Sequence, residues 1–204
     1  MSIQRGISQV ISADSHMVEP GDLWVERLDR KYRDDAPRVI KNEQAKGAPY
    51  LFVGPGLHPL TVAGVFAAGR SGDVLREHMK SGYEAARPSG WDPVERLKDQ
   101  DLDGVVAEVL YSSLGIVLLG MPDVELQKAC LRVYNDWLAE FCAHDPGRLV
   151  GIGLYTLNAL PDVSEIERSA RQGLKGVMVL ASDTIDLPYS DERFDPLWQV
   201  CAEV

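Results

Sequence analysis

The chain has 204 residues, with 21 Lys and Arg against 31 Asp and Glu, so its net charge at pH 7 is −10. Hydrophobic residues make up 45% of it and charged residues 25%, which is typical of a globular protein and excludes a disordered or collagen-like chain. The negative charge argues against nucleic-acid and anionic-membrane partners. Without a secretory signal or an apolar span, we expect a cytoplasmic protein.

The first predicted strand covers residues 10–13 and is followed by the polar residues Asp14, Ser15 and His16. From residue 20 to residue 91, Pro, Gly and charged residues interrupt the pattern, and only a hairpin around the turn at 54–56 is predicted. We interpret 20–91 as an insertion or lid segment after the first strand.

The pattern becomes regular after Trp91. Helices are predicted over 93–100, 123–141 and 161–172 and from 194 onwards, and strands over 104–110, 150–154 and 176–180. This alternation predicts parallel β-α units, in either an open doubly wound sheet or a (β/α)8 barrel. A nucleotide-binding domain is disfavoured, because no strand is followed by a G-x-G-x-x-G or Walker sequence.

Asp14 and His16 are the residues most indicative of chemistry. Side chains two residues apart in an extended chain lie on the same face, so both could bind one ion. A carboxylate and a neutral imidazole suit Zn²⁺ or a similar divalent cation. The spacing alone is weak evidence, because an Asp capping a turn beside an ordinary His is the more frequent explanation of such a pair.

Several longer stretches of the sequence resemble the amidohydrolase-related family of metal-dependent enzymes. They are ISADSHMVEP at 11–20 with DLW at 22–24, RLKDQDLDGV at 96–105, NDWLAEF at 135–141, DPGRL at 145–149, GLKGV at 173–177 and FDPLW at 194–198. The resemblance covers most of the chain in order. It implies a (β/α)8 TIM barrel and an activity among those of the family, which includes hydrolases, hydratases and decarboxylases of aromatic acids.

The resemblance places the family's first-strand metal ligands on Asp14 and His16, although many relatives have His or Glu in the first position. It implies a metal-dependent hydrolase or carboxy-lyase acting on a small organic, possibly aromatic, acid. Zn²⁺ is the favoured ion, with Mn²⁺ and Mg²⁺ as the other candidates. The family's later ligands, a His after the fifth strand and an Asp late in the barrel, have no counterpart here, and no catalytic base is assigned.

Four further residues are candidates for substrate binding: Glu19, Trp24, Tyr111 and Ser112. Trp24 is the weakest of the four, since it is chosen by position alone, as are the additional candidates Tyr155 and Ser182. Glu19 is equally well explained as a loop carboxylate ahead of a helix. Glu108 interrupts an apolar strand and is expected to pair with a basic residue from a helix. His78 lies in a charged segment and is expected to be solvated.

The length limits the functional prediction. A β-α unit takes roughly 30 residues and a whole barrel about 250, so we expect an incomplete barrel of about the first four units, forming a single N-terminal part over 1–204. The alternative to an enzyme is a non-catalytic half-barrel. We expect a small-molecule substrate, and either a homo-oligomer or a complementing C-terminal half to cover the open sheet edges.

Overall fold

The computed structural model describes residues 10–180 and 187–204. A parallel sheet and the helices around it form the main body, and an antiparallel sheet lies within the segment that follows the first strand. The strands are β1 (Val10–His16), β2 (Arg38–Lys41), β3 (Tyr50–Val53), β4 (Leu60–Thr61), β5 (Val105–Tyr111), β6 (Leu149–Leu154) and β7 (Gly176–Met178). The helices are α1 (Leu23–Arg27), α2 (Val62–Val65), α3 (Gly72–His78), α4 (Pro93–Asp103), α5 (Val124–Cys142), α6 (Ser164–Arg171) and α7 (Asp195–Glu203).

The parallel sheet has the order β1-β5-β6-β7. Each strand lies beside the next parallel strand in the chain, without the reversal of order that marks a doubly wound sheet. The helices α4, α5 and α6 connect these strands. This arrangement confirms the predicted α/β class, and its succession of neighbours is that of a partial (β/α)8 barrel.

Helix α5 contributes most to the core. The Asp123 side chain accepts hydrogen bonds from the N–H groups of Glu125 and Leu126, so the helix begins where the sequence predicts. Its buried face includes Tyr134 and Leu138, which pack in the same cluster as strand residues such as Leu110. The buried face of α5 therefore packs against the parallel sheet.

The segment from 20 to 91 contains the predicted hairpin, since β3 pairs with β4 in antiparallel register. It also contains β2, which the sequence analysis did not predict and which pairs with β3 over its whole length. Phe52 of β3 packs against Trp24, with ring centroids 5.1 Å apart, and both belong to the main core cluster. The segment therefore shares the core of the main body, while its role as a lid stays a prediction.

Two sequence predictions need correction. β1 continues to His16 instead of ending at Ala13, because its pairing with β5 extends to the pair His16 and Tyr111. His78 is not solvated: it is 8% exposed, its Nε2 lies 3.0 Å from the carbonyl oxygen of Ala63, and the Phe66 ring packs edge-on against it. In the described part of the chain, no helix has the length and apolar character needed to cross a membrane.

Candidate functional site

A β-bulge near the end of β1 determines which way its polar side chains point. Ser12 pairs with Glu108 and Ser15 with Leu110, so Ala13 and Asp14 together stand opposite one residue of β5. The extra residue puts Ser12 and Ser15 on one face, where their hydroxyl oxygens are 2.7 Å apart. Asp14 and His16 therefore share the other face.

Asp14 and His16 form a solvent-accessible pair. The Asp14 Oδ1 atom lies 3.5 Å from His16 Nε2, and the side chains are 84% and 52% exposed. That separation is too long for a good hydrogen bond. Two ligands at about 2.0–2.2 Å from one ion, at a tetrahedral angle, lie roughly 3.3–3.6 Å apart, so the separation of these two atoms suits two ligands of one ion.

The other ring nitrogen of His16 is held by the backbone. Nδ1 lies 3.0 Å from the carbonyl oxygen of Ser112. Because a carbonyl oxygen can only accept, Nδ1 carries the hydrogen in this contact, and the neutral ring has its lone pair on Nε2. This is the arrangement that metal-binding histidines commonly show, with the non-ligating nitrogen donating to a carbonyl or carboxylate.

Tyr111 lies beside this pair. It is the register partner of His16, and the two ring centroids are 6.1 Å apart. The structure thus brings together three residues predicted at the strand ends, namely Asp14, His16 and Tyr111. Within residues 10–180 and 187–204, no group of three or more His, Cys, Asp or Glu side chains is placed to hold a metal ion.

Three other predicted substrate residues are buried. Trp24 is fully buried, and its indole N–H donates to the carbonyl oxygen of Cys130 at 3.0 Å. The Ser112 hydroxyl donates to Glu19, and both residues are buried. The contacts of these side chains in the structure are therefore with other protein groups. Tyr155 is also buried, with its hydroxyl donating to the carbonyl oxygen of Asp162, and Ser182 lies outside the described residues.

Glu19 accepts hydrogen bonds from the loop that follows β5, residues 112–115, which we call the 112–115 loop. The Oε1 atom of Glu19 accepts from the hydroxyl of Ser112 and from the N–H groups of Ser113 and Gly115. Its Oε2 atom accepts from the N–H of Leu114. Burial raises the pKa of Glu19, although the hydrogen bonds act in the opposite direction. Sequence reasoning did not identify this loop as a partner of Glu19.

Glu108 is bound by a cation, as expected. Arg96 of α4 donates to both of its oxygens, at 2.6 and 3.1 Å, and Gln100 and Ser15 donate to it as well. Burial acts to raise the pKa of Glu108, but the hydrogen bonds from Arg96 and Gln100 and the charge of Arg96 outweigh it, so the pKa lies below its ordinary value. Glu108 therefore has a structural role, on the side of the sheet where Ser12 and Ser15 lie.

Comparison with known proteins identifies the family. An amidohydrolase family model matches residues 55–204. The chain belongs to the amidohydrolase family. Among solved structures, an amidohydrolase from Mycobacterium avium subsp. paratuberculosis K-10 is similar, with 21% identity and a TM-score of 0.70 over 96% of this chain and 56% of that one. No match was found among curated proteins.

Two decarboxylases of the same fold are also similar. The 5-carboxyvanillate decarboxylase from Novosphingobium aromaticivorans, solved with manganese and 4-hydroxy-3-methoxy-5-nitrobenzoic acid, has 22% identity and a TM-score of 0.54 over 97% of this chain and 49% of that one. A 2,6-dihydroxybenzoate decarboxylase in complex with 2,6-dihydroxybenzoate has 19% identity and a TM-score of 0.51, over 94% and 46%. The chain spans about half the length of these relatives, and the likeness confirms the partial barrel of the amidohydrolase family.

Proposed function

We propose that this chain supplies the first-strand part of the active site of a metal-dependent amidohydrolase-family enzyme acting on a small organic acid. The observation that carries the proposal is the Asp14 and His16 pair: two lone-pair atoms 3.5 Å apart, with the second His16 nitrogen held by the Ser112 carbonyl. A carboxylate and an imidazole suit Zn²⁺ or Mn²⁺. The manganese bound to the Novosphingobium decarboxylase makes Mn²⁺ the first ion to test.

The bound ion would supply a Lewis acid that polarises a substrate oxygen. Asp14 and His16 would hold it at the exposed face of β1, and Asp14 would also offset part of its charge. Tyr111, next to His16 on the neighbouring strand, is the residue we propose for substrate contact at this end of the sheet. Catalytic zinc sites usually have three protein ligands, so we expect this pair to be completed by at least one further ligand.

The buried cysteines do not offer an alternative chemistry. Burial raises the pKa of the thiols of Cys130 and Cys142 to about 12, so both are protonated at neutral pH and poorly nucleophilic. Both lie in α5 and not at a strand end. This favours the exposed carboxylate and imidazole pair over either buried cysteine as the chemical centre of the chain.

Metal titration of the purified chain tests the proposal. We expect calorimetry to show one site for Mn²⁺ or Zn²⁺ in the wild type, and loss of detectable binding in D14N and in H16N. H144N, which removes another exposed histidine at the end of α5, is the matched control and should bind as the wild type does. Less than about a tenth of an equivalent bound to the wild type would contradict the proposal.

The reaction class is tested separately with aromatic acids. We propose decarboxylation as the first activity to assay, because two relatives of the same fold are decarboxylases of substituted benzoates. Release of CO2 from 2,6-dihydroxybenzoate or 5-carboxyvanillate, lost in H16N, would support a carboxy-lyase. Hydrolysis of an ester or amide without CO2 release would support a hydrolase instead.

A second candidate is a half-barrel that functions only with a complementing chain or a second copy. The specific observation in its favour is the exposed apolar residues at the start of β1: Val10 is 48% exposed and Ile11 is 65% exposed. Large apolar side chains on an edge strand favour association. Native mass spectrometry of the purified chain would show a stable homo-oligomer if a second copy covers this edge, and a monomer would contradict the second-copy form.

A further inference from the structure

Glu19 is a fully buried carboxylate with no cation among the partners that the structure describes. It is 0% exposed, and its four donors are the Ser112 hydroxyl and three backbone N–H groups of the 112–115 loop. Burying a carboxylate is costly unless it is well hydrogen-bonded. Packing alone does not explain such a group, because its burial requires hydrogen-bond donors that an apolar residue of similar size would not need.

The loop is shaped closely around this carboxylate. A Cβ atom added at Gly115 would lie 2.7 Å from the Ser112 hydroxyl oxygen and 3.3 Å from Glu19 Oε1. A side chain at position 115 would therefore push the Ser112 hydroxyl away from Glu19. The carboxylate, its donors and the glycine form one close-fitting unit that fixes the backbone of the loop.

The same loop carries the group that orients His16. The Ser112 hydroxyl donates to Glu19, and the Ser112 carbonyl oxygen accepts from His16 Nδ1 at 3.0 Å. If the loop shifts, this carbonyl moves, and the imidazole loses the contact that keeps the hydrogen on Nδ1. The lone pair on Nε2, which lies towards Asp14, depends on that contact.

We propose that Glu19 is a positioning residue that, by holding the 112–115 loop, keeps the Ser112 carbonyl against His16 and so leaves His16 Nε2 free to bind a ligand. This inference rests on the proposed function only where the ligand is a metal ion. The orientation of the ring is a property of the metal-free chain, so it can be measured on its own.

The tautomer of His16 is the direct readout. Long-range ¹H–¹⁵N NMR of the imidazole nitrogens, assigned with H16N, should show the wild type with a proton on Nδ1 and none on Nε2. The Nε2-protonated form should increase in two variants. S112A keeps the carbonyl but removes one donor to Glu19. E19Q replaces a carboxylate oxygen with an NH2 group, which cannot accept a hydrogen bond from Leu114 N–H. Should E19Q fail to fold, S112A alone decides the test.

T156V is the matched control. Thr156, at the end of the neighbouring strand, is also buried, and its hydroxyl donates to the side-chain oxygen of Gln127 at 2.7 Å. The variant removes a buried hydroxyl together with this hydrogen bond and the one that the hydroxyl accepts from the Asn158 N–H, and it does not touch the 112–115 loop. We expect a similar drop in melting temperature for T156V and S112A, with the His16 tautomer changed in S112A alone.

A metal titration of the same proteins separates the two claims. We expect S112A and E19Q to lose about 10–100-fold in affinity for Mn²⁺, the usual loss when the partner of a metal-binding histidine is disturbed. A folded S112A with the wild-type tautomer and affinity would overturn the positioning role and leave the proposed function standing. A tautomer change in a chain whose wild type binds no metal would support the positioning role and contradict the proposed function.

Discussion

Glu19 and Glu108 are both buried carboxylates near β5, and they are stabilised in different ways. Glu108 lies within the strand and receives a bidentate contact from Arg96, with both side chains 12% exposed. Glu19 packs against the loop that follows the strand and receives neutral donors. Arg96 ties α4 to the sheet through Glu108 and through the backbone carbonyl oxygen of His16, which lies 3.2 Å from its Nη1. The neutral donors of Glu19 instead fix the 112–115 loop, whose Ser112 carbonyl oxygen contacts the His16 side chain. We infer that Glu108 contributes mainly to stability and Glu19 mainly to the site.

The largest effect is expected for R96M. It removes the cation and leaves Glu108 with Gln100 and Ser15 as donors, and it also removes the hydrogen bonds from Arg96 to the carbonyl oxygens of His16 and Ser89. Breaking one partner of a buried ion pair costs about 3–5 kcal/mol. Urea unfolding at pH 7 should show this loss. R27M, which breaks the exposed pair between Arg27 and Glu140, is the control and should cost under about 1 kcal/mol. Equal losses in the two variants would contradict the structural role of Glu108.

G115A should disturb the hydrogen bonds between Glu19 and the 112–115 loop. The added Cβ would lie 2.7 Å from the Ser112 hydroxyl oxygen, and overpacking of this kind costs about 1–3 kcal/mol. G120A is the matched control, because a Cβ at Gly120 has no atom within 4 Å. We expect G115A to unfold at a lower urea concentration and to bind Mn²⁺ more weakly, with G120A unchanged in both. Wild-type metal binding in a folded G115A would argue against the proposal that Glu19 positions His16 through the 112–115 loop.

S15A and S112A compare the two buried carboxylates directly. Each removes a hydroxyl that donates to a buried carboxylate, Glu108 in the first case and Glu19 in the second. Each should cost about 1 kcal/mol of stability. Although Ser15 lies between Asp14 and His16 in the chain, we expect only S112A to weaken Mn²⁺ binding in calorimetry. A larger loss of Mn²⁺ affinity in S15A than in S112A would contradict the assignment of Glu108 to stability and of Glu19 to the site.

The two carboxylates should also give pH dependences of opposite sign. The pKa of Glu108 is lowered on folding, so its stabilising contribution is present above its unfolded pKa and is lost as the pH falls through the folded value. The pKa of Glu19 is raised, so its contribution is greatest below the unfolded pKa and declines as the pH rises through the folded value. Urea unfolding from pH 4 to pH 7 gives the free energy of unfolding of the wild type and of each variant. The difference between the wild type and E108Q should therefore rise with pH, and the difference between the wild type and E19Q should fall.

The main-body elements were predictable because their signals are local. The Asp123 cap and the apolar periodicity of α5 predict its start and its buried face. The hairpin around β3 and β4 follows from its turn. β2 was missed because its pairing with β3 depends on a partner across a loop and not on a local pattern. The bulge at Ala13 and Asp14 was missed for the same reason, since it depends on the register with β5.

The site was predicted in part. The two-residue spacing of Asp14 and His16 correctly places them on one face. The partners of Glu19 could not be predicted, because three of its four donors are backbone N–H groups, which every residue except proline carries. A signal did exist: Glu19 follows the apolar residues Met17 and Val18, and a glycine occurs shortly after β5. Nothing in the sequence, however, shows that these two features meet.

We propose that Asp14 and His16 bind one divalent ion, His16 through its Nε2, while Nδ1 stays hydrogen-bonded to the Ser112 carbonyl oxygen. Zinc titration of the ¹⁵N-labelled chain, followed through the ring nitrogens of His16, tests this binding mode. We predict a large shift of the Nε2 resonance, a retained proton on Nδ1, and no response in D14N at the same zinc concentration. An unchanged His16 spectrum at saturating zinc, or a response at Nδ1 instead, would contradict binding of the ion through His16 Nε2.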